Sequence, residues 1–161
     1  MRLFIGINFS QSNKERLLAS LSPQDGRLTT LQNLHLTLEF LGDVPDSSVA
    51  CIKSIFESIN WSRFEILSTE AMRLNNLLVL EFHYCEGLAG LQALLHDRLQ
   101  QNGFVLENRP YYPHLTLLRH FHGKIPSLSV IKETVQAIYL YRSTRIKGQL
   151  TYQILLTKSL S

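Results

Sequence analysis

The tetrapeptide His-Leu-Thr-Leu occurs twice in this chain of 161 residues, at 35–38 and at 114–117. A repeat at a separation of nearly half the chain implies two halves of similar construction. On a strand, residues two apart project to one face. In each copy the His and the Thr therefore share one face, and the two leucines point the other way, into a core. Two such strands, one from each half, can bring His35, Thr37, His114 and Thr116 to a common cleft.

The rest of the chain can supply that setting. Residues 2–9 read as an opening strand and 12–21 as a helix, with Ser12 and Glu15 spaced as a capping box and Leu17, Leu18 and Leu21 on one face. Residues 34–41 form the first motif strand. Val49, Ile52, Ile55, Phe56 and Ile59 recur at helical spacing. Two apolar runs flank Asn75-Asn76 as a hairpin. Leu88, Leu91, Leu95 and Leu99 mark the inward face of a helix that Gly103 stops. The second motif strand follows, and two further strands pair around Lys147-Gly148. Hairpins mixed with helices indicate an α+β fold with antiparallel sheets. With the repeated motif, this predicts two pseudo-symmetric lobes flanking a central cleft, helices outside, within a single domain over 1–161.

Composition narrows the setting further. With 45% hydrophobic and 18% charged residues, the chain can bury a core and is not a disordered polymer. No apolar run approaches the ~20 residues of a membrane helix, and the first ten residues lack the pattern of a secretory signal. Cys51 and Cys85 have no metal-binding or redox spacing, which fits reduced thiols in the cytoplasm. Nothing signals an oligomer, so a monomer is expected. Residues 109–161 carry eight Lys or Arg against one acidic residue, Glu133; residues 1–108 carry eight basic and twelve acidic. That asymmetry suits either a phosphate-bearing ligand or a solvated basic surface.

Two histidines on one face suit in-line displacement at phosphorus. One takes a proton from the attacking oxygen and the other gives one to the leaving oxygen. Imidazole titrates near neutrality, so both forms are accessible. The threonine hydroxyls can donate to non-bridging oxygens, where charge accumulates. This chemistry needs no cofactor and no metal, and a vicinal 2′,3′-cyclic phosphate on RNA is a fitting target.

At these motifs the chain resembles the 2H phosphoesterase superfamily, and within it the bacterial RNA 2′,3′-cyclic phosphodiesterases, also called the 2′-5′ RNA ligase family. The likeness runs over nearly the whole chain. "NLHLTLEFLGDV" matches the first motif extended to Phe40, and "RPYYPHLTLLR" matches the second extended to Arg119. The resemblance implies a metal-independent hydrolase of RNA 2′,3′-cyclic phosphate ends, or of small cyclic nucleotides. In it His35 is the proton donor to O3′ and His114 the proton acceptor that activates water. Thr37, Thr116 and Arg119 hold the phosphate, Phe40 stacks on the terminal base, and the product carries a 2′-phosphate. Leu28 stands where family members often carry an aromatic residue.

Two alternatives share the cleft: a ligase sealing the cyclic phosphate onto a 5′-hydroxyl, and a non-catalytic RNA- or nucleotide-binding module. Phe40 and Arg119 each lie five residues after a motif histidine, which on a flat strand is the wrong face. Either each strand twists or bulges after its motif or both side chains act from the strand's end, and the occurrence of the offset in both halves favours a shared backbone feature. Core packing is the other role open to Phe40, and solvent or phosphate contact the two open to Arg27. His96, sharing a helix face with Gln92 and Gln100, is expected in solvent. His83 falls on the Glu81 side of its strand. His120 and His122 have no carboxylate or Cys placed with them for a zinc site.

Overall fold

The computed structural model describes residues 1–161. In chain order the elements are β1 (Arg2–Asn8), α1 (Gln11–Ala19), β2 (Arg27–Leu28), β3 (His35–Asp43), α2 (Ser48–Ser58), β4 (Phe64–Leu74), β5 (Leu77–Phe82), α3 (Glu86–Gln101), β6 (His114–Arg119), β7 (Lys132–Val135), β8 (Ala137–Ile146) and β9 (Gln149–Ser159). The strands pair in the order β7-β4-β5-β6-β3-β1-β8-β9, with β2 beside β6, and every pairing is antiparallel. The fold is α+β, as expected. The two lobes are halves of one curled sheet: each motif strand, β3 or β6, has three strands on its outer side. The halves meet where Leu36 faces Leu115. Both of these leucines are fully buried, and Leu38 and Leu117 are at most 2% exposed.

The motif leucines lie in a core to which all three helices contribute. Leu88, Leu91, Leu95 and Leu99 of α3, Ile52, Ile55 and Phe56 of α2, and Leu17 of α1 are buried. The start of α1 differs from expectation. Ser10 caps it, accepting from the Asn13 amide at 3.2 Å, whereas Ser12 lies inside the helix. Glu15 instead accepts from the side chain of Gln11. Gly103, at φ +89°, follows α3 in the left-handed region that a side chain resists. The β8–β9 turn places both Lys147 and Gly148 at positive φ, as the primed two-residue hairpin turn requires.

Both motif strands carry the expected irregularity at equivalent places. Across β1–β3, Gly6 faces Thr37 but Ile5 faces Glu39, so Leu38 is the extra residue. Across β5–β6, Val79 faces Thr116 but Leu78 faces Leu118, so Leu117 is the extra residue. Two successive residues then point inward, Leu38 with Glu39 and Leu117 with Leu118. Phe40 and Arg119 return to the face of the motif histidines, and both are exposed. A β-bulge turns a five-residue offset into a shared face.

No helix is long and apolar enough to cross a membrane. Cys51 and Cys85 are unpaired.

Candidate active site

The antiparallel register at Leu36–Leu115 sets His35 across from Thr116 and Thr37 across from His114. Each histidine thus lies beside the other motif's hydroxyl, on the face opposite the core.

The two imidazoles are held alike. Nδ1 of His35 lies 2.7 Å from the carbonyl of Asn33, and Nδ1 of His114 lies 2.8 Å from the carbonyl of Tyr112. A carbonyl can only accept, so each Nδ1 carries the proton. Each Nε2 is left to the cleft. That of His35 lies 3.0 Å from Thr37 Oγ1, and that of His114 has no partner within the chain. Asn33 is itself anchored, its side chain donating to the Leu150 carbonyl on β9 at 2.9 Å.

Their surroundings differ. His35 sits among Phe4, Tyr152 and Tyr141, with ring centroids at 4.7, 5.1 and 6.1 Å. This aromatic box removes water from the ring. Burial first, then the nearby charges of Arg119 and His114, push His35 down to about 4, against the opposing hydrogen bond to Asn33. Gly6 makes room for the box: a Cβ there would meet the Leu36 carbonyl oxygen at 2.9 Å and His35 Cδ2 at 3.6 Å. His114 is more open, stacked on the exposed Tyr112 with centroids 4.8 Å apart.

Two adjoining cavities flank Thr37 and Phe40. One, of about 430 Å³, is lined by His35, Thr116 and Arg119; the other, of about 350 Å³, by His114, Tyr111 and Tyr112. Phe40, 46% exposed, stands between them with the Arg2 guanidinium 4.8 Å from its ring centroid. It is therefore not a core residue. The cleft brings together every residue singled out from the motifs: His35, Thr37, Phe40, His114, Thr116 and Arg119.

Several neighbours carry no local sequence signal. Tyr111 donates its hydroxyl to the Thr37 carbonyl at 2.8 Å, bridging the two halves. Glu39, turned inward by the bulge, accepts from Gln92 at 2.8 Å and from His96 Nδ1 at 2.5 Å. Burial raises the Glu39 carboxyl, against the pull of those two donors. His96 is thus largely buried against a carboxylate, not in solvent: the bulge brings Glu39 under the α3 face that sequence periodicity leaves polar. β6 ends at Arg119 and His120 adopts a left-handed φ of 52°, so His120 and His122 share no strand face. His83 follows the end of β5 and is exposed. Arg27 lines the His35 cavity, directly across β2–β6 from Arg119.

Paired His-x-Thr strands, tethered alike at the centre of a curled antiparallel sheet, are the arrangement a two-histidine phosphoesterase needs, and the chain is similar in sequence and fold to cyclic phosphodiesterases and phosphoesterases. No family model matches it. It is 29% identical over 125 residues to an RNA 2′,3′-cyclic phosphodiesterase of Escherichia coli, covering 73% of this chain and 71% of that protein. A protein of the same name from Methanocaldococcus jannaschii is 27% identical over 124 residues, covering 74% and 71%. The crystal structure of E. coli LigT complexed with 3′-AMP superposes with a TM-score of 0.90 at 26% identity, covering 99% of this chain and 98% of that one.

Proposed function

We propose that this protein hydrolyses 2′,3′-cyclic phosphate ends of RNA to 2′-phosphate ends by two-histidine acid–base catalysis. The observation that carries the reading is the matched tethering of His35 and His114, which leaves two Nε2 atoms free beside adjoining cavities that share Thr37, with Thr116 and Arg119 on the His35 side. The names of the relatives support the substrate class.

In this mechanism His114 Nε2, open and unpartnered, accepts a proton from water as the water attacks phosphorus. The P–O3′ bond breaks, and His35 Nε2 delivers a proton to the departing O3′. Thr37, Thr116 and Arg119 meet the negative charge that builds on the non-bridging oxygens. His35 is neutral in the unliganded cleft, since burial and Arg119 oppose its charge. An anionic phosphate placed between His35 and Arg119 reverses the second of these effects and favours the imidazolium that the acid role requires. Phe40, exposed on the same face, offers its ring to the terminal base. Small cyclic nucleotides fit the same centre.

An RNA ending in a 2′,3′-cyclic phosphate, incubated with the protein and EDTA, tests the reading. Conversion to a 2′-phosphate end is expected. Persistence of the cyclic end under all conditions would reject it in favour of a binding module, and joining to an added 5′-hydroxyl RNA would favour the ligase.

A further inference from the structure

The cavity that holds His35 extends past the motif residues. Its lining continues to Arg2 at the start of β1 and to Ser143, Arg145 and Tyr152 on the β8–β9 hairpin. Arg2, Arg27, Arg119 and Arg145 all line it, all are exposed, and no lining residue is acidic. The ion pairs of the chain lie elsewhere: His96–Glu39, Arg109–Glu107 and Lys132–Glu65. Asp43 faces Arg2 across β1–β3 without pairing to it. Arg2 is in register with Ser143, two residues before Arg145 on β8.

Four guanidinium groups in one groove repel each other, and a fold that keeps them there is complementary to a polyanion. The single charge of a cyclic phosphodiester needs Arg119 and little more. Stereochemistry says where further charge would come from. O3′ remains on the ribose when its bond to phosphorus breaks, so the ribose and the chain 5′ to it lie on the His35 side of the phosphorus. The arginine-lined groove runs on that side.

From this juxtaposition we infer that Arg2 and Arg145 bind the phosphodiester immediately 5′ to the terminal nucleotide, so that the preferred substrate is an oligoribonucleotide end and not a free nucleoside cyclic phosphate. The inference rests on the hydrolase reading above and deepens it. It assigns Arg2 a double contact, with Phe40 beneath it and a backbone phosphate in front.

The test compares kcat/KM for three substrates: a nucleoside 2′,3′-cyclic phosphate, a dinucleotide ending in one, and the same dinucleotide with its internal linkage replaced by uncharged methylphosphonate. The charged dinucleotide is expected to exceed each of the others by roughly tenfold, the worth of a charge-assisted contact. Its advantage should fall as salt rises, by about 0.7 in log–log slope for one phosphate neutralised on a single strand. In Arg2→Gln/Arg145→Gln the ratio of charged to uncharged dinucleotide should approach one. Arg145→Gln alone, which keeps the Arg2–Phe40 contact, should lower that ratio in part. Equal kcat/KM for the charged and uncharged dinucleotides in the unsubstituted protein overturns the inference and leaves the hydrolase reading intact. Failure to hydrolyse any of the three removes both. The unsubstituted protein decides the matter even if the double variant does not fold.

Discussion

Tyr111 donates its hydroxyl to the backbone carbonyl of Thr37 at 2.8 Å, so the segment that orients His114 is bonded to the strand that carries His35. The next residue, Tyr112, supplies the carbonyl that holds His114 Nδ1. One hydroxyl thus links the two motif halves at the point where their side chains must act together. Burial raises the Tyr111 hydroxyl far above its ordinary range, so it remains a donor at all working pH values. Tyr111→Phe should fold, lose about 1 kcal/mol of stability for one hydrogen bond, and lower kcat about tenfold or more with little change in KM. A compensating rise in KM with kcat unchanged would show that the link serves substrate binding instead.

His35→Ala and His114→Ala should each lower turnover by about 10²-fold or more, because each removes one proton-transfer partner. Circular dichroism should report an intact fold, since both side chains face the cleft and not the core. A variant that folds and keeps a near-native rate would remove its histidine from the mechanism.

The depressed His35 pKa makes stability depend on pH in a defined direction. Unfolded, the imidazole binds its proton near 6.5; folded, it does so only near 4. The contribution is therefore fully present above pH 6.5 and is lost as pH falls through 4. Its size is about 3 kcal/mol by the usual conversion of pKa to free energy. Urea unfolding at pH 7.5 and pH 4 should show this loss, and His35→Gln should lack that part of it. Sulfate should oppose the loss, since an anion beside His35 and Arg119 favours the charged ring. An unchanged pH slope in His35→Gln would contradict the assigned burial effect.

Arg119→Ala should cost roughly ten- to more than a hundredfold in kcat/KM, and Arg119→Lys should recover little of it. Lysine supplies a point charge without the planar fork that two phosphoryl oxygens accept. The same geometry sets O3′ beside His35, so the product should resist a phosphatase specific for 3′-phosphate ends. Full sensitivity to that phosphatase would assign His35 to the opposite oxygen.

Local sequence determined which residues alternate between water and core, and the repeat of that pattern marked His35, Thr37, His114 and Thr116 as partners. It also marked the three helices, because their apolar spacing is a property of a few consecutive turns. The paired five-residue offsets of Phe40 and Arg119 require a shared backbone feature or action from the strand's end, and the register makes that feature a bulge in both strands. What lay beyond reach was every contact made across the sheet. Gly6 and Tyr152 shape the box around His35, Tyr111 bonds the halves, and Glu39 captures His96. The excess of positive charge lies in residues 109–161, yet two of the four arginines in the groove, Arg2 and Arg27, come from the acidic part. Periodicity reports the face on which a side chain lies. Which strand lies opposite, and hence how dry, charged or well held that side chain becomes, is decided when distant segments pair, because burial and hydrogen bonding are properties of neighbours in space.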